Sequence, residues 1–340
     1  MKAYGHQGHR HQGRPHKGHN HRGHRRGTAR AVALGAALAG VGGLTLSGLA
    51  AVTVPTGVAG AATSGGRVVA VGAENEYANV IGQIGGPYVT VSAVMSNPNT
   101  DPHSFESSPK VAAAVAGAQL VVQNGLGYDD FMDKIEQAAP DAERKVIDVQ
   151  TLLHLPASTP NPHLWYKPTT MPAVAKAIAA ALSSLQPAHR AYFAAQLATF
   201  DAALQPWATA IAGLKAADGG VPVATTEPVA DYLLQAAGLD NRTPFTFQAD
   251  IMNGVDPSPQ DVSLQDSLFS GHKVRVFVYN EQVTDSLTDS LLQLAHENHI
   301  PVVGVYETMP TPGYDYQSWM VAEVKALVGA LGHGTSSPKL

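Results

Sequence analysis

"YVTVSAVMSNPNTDPHSFESSPKVAAAVAGAQLVVQNG", residues 88–125, contains one complete structural sentence. "YVTVSAVM" is β-branched and apolar and predicts a strand. "SPKVAAAVAGA" predicts a helix, with Ser108 as its cap and Pro109 at its first position. "QLVVQNG" predicts the next strand. A strand, a loop, a helix and another strand make the repeating unit of a parallel sheet covered on both faces. Ligands of such sheets bind at the C-terminal ends of the strands. "DPHSFESSPK", residues 101–110, lies there and puts His103 on the loop after a strand.

The same alternation runs to either side. Upstream, "RVVAVGAENEYANVIGQIGG" predicts a strand and then a helix that ends at a glycine pair. Downstream, "YDDFMDKIEQAA" predicts a helix and "KVIDV" a strand. The pattern then changes to the long helical stretches "MPAVAKAIAAALSSL" and "PAHRAYFAAQLATFDAALQPWATAIAGLKAA". In the second, Phe193, Leu197, Phe200, Leu204, Trp207, Ile211 and Leu214 step by alternating fours and threes, which buries one stripe. Pro206 should kink that helix or split it. Alternation then resumes through "GVPVATTE", "PVADYLLQAAGL", "DPSPQDVSLQDSLF", "VRVFVYNEQ", "DSLLQLAHENH", "IPVVGVYE" and "YDYQSWMVAEVKALVGAL". The expected organisation is an α/β lobe over 67–168, a helical segment with a long linking helix over 169–216, and a second α/β lobe over 217–334.

Charge is unevenly placed. The chain has 22 Lys/Arg and 27 Asp/Glu; eight of the bases and none of the acids lie in residues 1–66. The body therefore carries 14 bases against 27 acids, which argues against nucleic acid as its partner and favours cations. With no cysteine, disulfides, thiolate metal sites and a lipid-anchor cysteine are excluded. Residues 1–66 read as targeting: a basic segment, the apolar run "AVALGAALAGVGGLTLSGLAAVTV", and small residues near Ala61 suited to cleavage. Uncleaved, the apolar run is long enough to anchor the chain in a bilayer. Either way the body lies outside the cytoplasmic membrane. His6, His9, His11, His16, His19, His21 and His24 in this leader could bind metal loosely, or could simply add polarity to a disordered tract.

"NPHLWYKP", residues 161–168, repeats the grammar of the first histidine loop: Asp or Asn, Pro, His, any residue, aromatic. A lone loop histidine is more often a hydrogen-bonding residue than a ligand. The duplication raises His103 and His163 above that expectation. The second half supplies Glu227 in "TTEP" and Glu307 in "VYETMP", again at strand ends. Taken singly, Glu227 would be a carboxylate favoured by a helix N-terminus starting at Pro228, and Glu307 an ordinary loop acid. Together the four could close around one divalent ion, and imidazole with carboxylate suits Zn²⁺, Mn²⁺ or Fe²⁺. His154, His189, His272, His296, His299 and His333 lie in helical or exposed polar contexts and are taken as structural.

The body resembles the metal-binding solute-binding proteins of bacterial zinc/manganese ABC transporters, the TroA-like cluster A-I family. The segment from "IGQIGG" to "YDDFM", the loop "NPHLWYKP", the helix "PAHRAYFAAQLATFDAAL" and the entry "DPSPQDVSLQDSL" carry the resemblance. It implies two α/β lobes joined by one long helix, with a metal in the cleft between them. It further implies His103 and His163 as the first two ligands, Glu227 as the third and Glu307 as the fourth. The family's fourth ligand is usually Asp, and Asp315 is the alternative. Asp101 and Glu106 are candidates to support the ligands from behind. The short "LLHLPASTP" replaces the His/Asp-rich loop of many zinc-specific members.

The expected function is capture of Zn²⁺, with Mn²⁺ next and Fe²⁺ last, and delivery to an ABC permease by a monomer. Membrane contact is then made only through the permease or an uncleaved N-terminal anchor. The competing readings are a secreted metal-dependent hydrolase and a surface adhesin or metal buffer. Against the first, no HExxH or GxSxG pattern is present, and the protein is expected not to be an enzyme.

Overall fold

The computed structural model describes residues 66–99 and 102–340. The leader, its seven histidines and Asp101 lie outside the described residues. The chain opens with β1 (Val68–Glu74), α1 (Asn75–Gly85) and β2 (Val89–Met95), followed by α2 (Pro109–Ala116), β3 (Leu120–Gln123) and α3 (Asp130–Ala138). β4 (Lys145–Asp148) and the single turn α4 (Val149–Leu152) complete the first lobe's sheet region. All pairings are parallel, in the order β2-β1-β3-β4. Strand order reverses between β1 and β3, which opens the sheet's C-terminal edge to a ligand at that point. Ser108 caps α2 by accepting from the Val111 N–H, and Pro109 occupies the first turn, where a missing N–H costs nothing.

Three helices follow: α5 (Thr170–Leu185), α6 (Arg190–Ala203) and α7 (Gln205–Asp218). The predicted linking helix is broken at Leu204 rather than at Pro206 itself. A proline ring clashes with the carbonyl four residues back, yet is tolerated in a first turn, so the helix ends ahead of it and restarts with Pro206 inside α7. The apolar stripe crosses the break intact. Phe193, Phe200, Leu204, Trp207, Ile211 and Leu214 are buried, and Leu197 is partly so.

The second lobe repeats the first. β5 (Pro222–Thr225), α8 (Asp231–Ala236), β6 (Asp240–Asn241), α9 (Phe245–Met252), α10 (Pro259–Ser270), β7 (Phe277–Asn280), α11 (Ser286–Glu297), β8 (Val302–Val305) and α12 (Tyr316–His333) give a sheet ordered β6-β5-β7-β8, again all parallel. β6 and α9 have no counterpart in the sequence reading. Two residues are too few to show a strand period, and in the eight-residue α9 Phe247, Ile251 and Met252 keep a helical spacing over too short a run to stand out, with Phe245 off that face and exposed. α8 starts at Asp231, three residues later than expected, because the Pro228 carbonyl is engaged by the Asp231 N–H in a turn.

One hydrophobic core joins the lobes. It runs from Val68 and Ile81 in the first, through Trp207 and Leu214, to Trp319 and Leu331 in the last helix. α6 packs on α1 and α5, while α7 packs on α12. The connection is thus a packed strut whose movement would disturb buried area on both sides.

Candidate metal centre

The C-terminal ends of both sheets face a common site between the lobes. After β2 the chain makes a 3-10 turn, Pro102–Ser104, closed by a hydrogen bond from the Phe105 N–H to the Pro102 carbonyl. This turn presents His103, whose side chain is 21% exposed and whose Nε2 lies 3.1 Å from Glu307 Oε2. Phe105, two residues on, packs on Phe131 with ring centroids 4.8 Å apart and anchors the loop to the lobe.

His163 is fully buried, with its ring edge-on to His103, Tyr128 and Trp165. Its two nitrogens face different oxygens: Nδ1 is 2.8 Å from Asn161 Oδ1, and Nε2 is 3.2 Å from Glu307 Oε2. The orientation of the Asn161 amide is fixed by its surroundings. Its NH₂ donates to the Pro228 carbonyl at 2.7 Å, and its Oδ1 already accepts from the His163 backbone N–H at 2.9 Å. Oδ1 can only accept, so Nδ1 must carry a proton. Burial pushes the His163 imidazole below its ordinary pKa, outweighing the pull of Glu307, which keeps the ring neutral. Its Nε2 is then a lone pair aimed at a carboxylate oxygen. Two lone pairs at 3.2 Å repel unless a proton or a metal cation sits between them.

Glu307 is fully buried just after β8. Its backbone N–H, and that of Thr308, donate to Gln282 Oε1 at 2.7 Å each. Tyr128 Oη donates to its Oε2 at 3.0 Å, and Asn280 Nδ2 to its Oε1 at 2.7 Å. Burial alone would raise this carboxyl. The charge that His103 can carry and the hydrogen bond from its ring lead the influences that hold it well below the usual carboxylate range. The group is therefore an anion in an apolar setting, stabilised wholly by its neighbours.

Among the described residues, His103, His163 and Glu307 form the one group of three or more His, Asp or Glu side chains whose donor atoms lie within 4.8 Å of one another. Glu227 stands outside that group but beside it. It is 3% exposed, follows β5, and its Oε1 accepts from the same Asn280 amide at 3.2 Å. Asp315 is elsewhere: it caps α12, accepting from the Ser318 N–H at 2.8 Å, and is exposed. Glu106 is exposed on the loop before α2.

Several residues that shape the site carried no signal of their own in the sequence. Asn161 was visible only as the first letter of "NPH", and Asn280 and Gln282 as polar residues closing a strand. Tyr128 follows the loop Gly125–Gly127, whose three residues all adopt positive φ. At Gly125, with φ +78°, an added Cβ would lie 2.8 Å from Asp148 Oδ2, so the turn that precedes Tyr128 favours glycine. Near the ligands, Glu74 at the end of β1, Glu76 in the first turn of α1 and Asp129 just before α3 are buried. Burial raises all three, Asp129 to about 7.

Comparisons with known proteins agree on the architecture. The structure "Crystal structure of ZnuA" superposes with a TM-score of 0.63 at 22% identity, covering 78% of this chain and 99% of that one. The periplasmic zinc-binding protein TroA of Treponema pallidum gives 0.67 at 15% identity over 79% and 100%. The solute-binding protein FpvC of Pseudomonas aeruginosa, solved in complex with Mn²⁺, gives 0.65 at 18% over 78% and 99%. At such identities these likenesses speak for the fold. A curated protein of Thermotoga maritima, named "Putative metal-binding protein", is 29% identical over 94 residues, 28% of this chain and 33% of that protein. The match thus spans about a third of that relative's length. The family described as zinc-uptake complex component A, periplasmic (ZnuA), matches residues 71–330, and the chain belongs to this family of metal-binding solute-binding proteins.

Proposed function

We propose that the protein captures a divalent transition metal outside the cytoplasmic membrane, zinc first and manganese next, and hands it to an ABC permease. His103, His163, Glu227 and Glu307 hold the ion; the regions 67–168 and 217–334 act as the two jaws, with 169–216 between them. One observation carries this reading: His103 Nε2 and His163 Nε2 converge on the buried Glu307 Oε2 at 3.1 and 3.2 Å, so that three donor atoms suited to a metal lie within 4.8 Å of one another. Two imidazoles and two carboxylates form a donor set suited to Zn²⁺ and lack the soft sulfur that would favour copper. Because Glu227 lies outside the tight triad, binding would draw it inward as the fourth ligand. The packed strut favours a short loop movement over a wide hinge opening. The extracytoplasmic location rests on the leader read in residues 1–66, and the permease on the family.

The test is metal content after purification and dialysis, for wild type and for His163→Ala, Glu227→Ala and Glu307→Ala. Wild type should hold one zinc ion, and each substitution should weaken it at least about a hundredfold, a quarter share of the binding free energy of a four-ligand zinc site. Retention of stoichiometric zinc by both His163→Ala and Glu307→Ala would sink the assignment.

A further inference from the structure

We infer that Asn280 is a selectivity residue: its amide ties up one oxygen of each carboxylate, so that Glu227 and Glu307 each offer the ion a single oxygen. The inference rests on the metal-binding function proposed above and goes further, to what decides between metals.

Asn280 is the last residue of β7 and is fully buried. The orientation of its amide is settled by its neighbours. Oδ1 accepts from the Gln282 N–H at 3.0 Å, so the other end is the NH₂ group. The backbone N–H of Asn280 donates to Thr226 Oγ1 at 3.0 Å, which pins the residue to the loop immediately before Glu227. The NH₂ group has two protons and finds two acceptors, Glu307 Oε1 at 2.7 Å and Glu227 Oε1 at 3.2 Å. A single rigid amide therefore yokes together the two carboxylates of the second lobe.

The yoke fixes which oxygens remain for an ion. Both imidazoles approach Glu307 on its Oε2, at 3.1 and 3.2 Å, on the opposite side of the carboxylate from Asn280. An ion seated there meets two nitrogens and Glu307 Oε2, and Glu227, drawn inward with its Oε1 still on the amide, would add one oxygen to make a four-coordinate set matched to tetrahedral Zn²⁺. Mn²⁺ favours a larger, oxygen-rich shell, which these four residues could supply only by turning both carboxylates bidentate. That turn would pull each Oε1 off the amide and leave buried Asn280 N–H groups unpaired, a penalty Zn²⁺ binding avoids. The amide thus discriminates by what it forbids as much as by what it holds.

Two measurements test this. The first is zinc K-edge X-ray absorption on the wild-type protein loaded with Zn²⁺, with four nitrogen or oxygen ligands expected. A shell of five or six would overturn the inference without any variant being needed. The second compares Zn²⁺ and Mn²⁺ affinities, by chelator competition, for wild type and Asn280→Ala. The substitution should narrow the preference for zinc by at least about tenfold, because the freed carboxylates can close on Mn²⁺ with both oxygens. An unchanged zinc-to-manganese ratio, even with both affinities lowered, would make Asn280 merely structural and overturn the inference. A wild-type protein that took up neither ion would instead overturn the binding function itself.

Discussion

The first lobe brings two imidazoles to the proposed site and the second two carboxylates, and the halves are held by different means. On the first side, aromatic rings do most of the holding: His163 is boxed by His103, Tyr128 and Trp165, and one amide, Asn161, sets its tautomer. On the second side amides take over, with Asn280 on both carboxylates and Gln282 on the backbone of Glu307 and Thr308. The contrast follows from the cost of burial. A neutral imidazole can be packed like any aromatic ring, provided that its N–H finds an acceptor. An anion cannot, and every buried carboxylate oxygen needs a donor aimed at it. The two lobes share a strand order but not a chemistry, and the shell behind each ligand reflects its charge.

The largest expected effect that would break this contrast concerns Asn161. If it acts by fixing the tautomer of His163, Asn161→Ala should lower zinc affinity about 10- to 100-fold, as loss of a supporting hydrogen bond does at other metal sites. Asn161→Asp, which keeps the acceptor for Nδ1–H but loses the donor to the Pro228 carbonyl, should lose less affinity than Asn161→Ala. No loss in Asn161→Ala, read by competition with a chromophoric chelator, would mean that aromatic packing alone holds the ring.

A second test sharpens the treatment of carboxylates. Glu323 on α12 is as buried as Glu307, yet its environment pushes it the other way, to about 8, through burial opposed only by the Trp319 indole and the Tyr166 hydroxyl. Among the described residues no donor reaches its Oε2, which disfavours the charged form. Since the folded pKa is raised, the stability contributed by the proton is complete below the unfolded value near 4.5. It is lost as pH rises from there to about 8. Over that window the loss is about 1.4 kcal/mol per pH unit. Glu323→Gln should remove this part of the slope, so that its Tm gains on wild type progressively between pH 5 and 8 and runs parallel above. Parallel Tm curves across the whole window would mean that Glu323 is ionised in the fold.

The smallest effect concerns Asp315, the alternative fourth ligand. As the cap of α12 with a reciprocal Ser318 contact, it should cost about 1 kcal/mol of stability when changed to Ala, seen as a fall in Tm of a few degrees. Zinc affinity should not move. A loss of affinity comparable with that of Glu307→Ala would return Asp315 to the site.

Much of this was legible in the sequence because periodicity and punctuation survive without tertiary context. The strands and helices of residues 88–125, the cap at Ser108 and the stripe from Phe193 to Leu214 follow from local sterics and from which face must be buried. The duplicated Pro-His loops mark His103 and His163, and strand ends mark Glu227 and Glu307. The helix break fell two residues ahead of Pro206 because a proline disturbs the turn before it, and β6 was too short for any pattern to show.

What sequence alone fixed was the two-lobed α/β order and the residue types able to hold a metal, since both depend on local rules of burial and on side-chain chemistry. Only the tertiary structure decided which atoms face one another. Asn161 and Asn280 are ordinary polar residues until the fold brings one to a histidine nitrogen and the Pro228 carbonyl, and the other to two carboxylates from separate loops. Those meetings span 67 residues in the first case and 53 and 27 in the second. Directional hydrogen bonds over such separations are set by how the sheets and strut pack, and they govern whether two nitrogens and two acids make a site or merely four polar side chains.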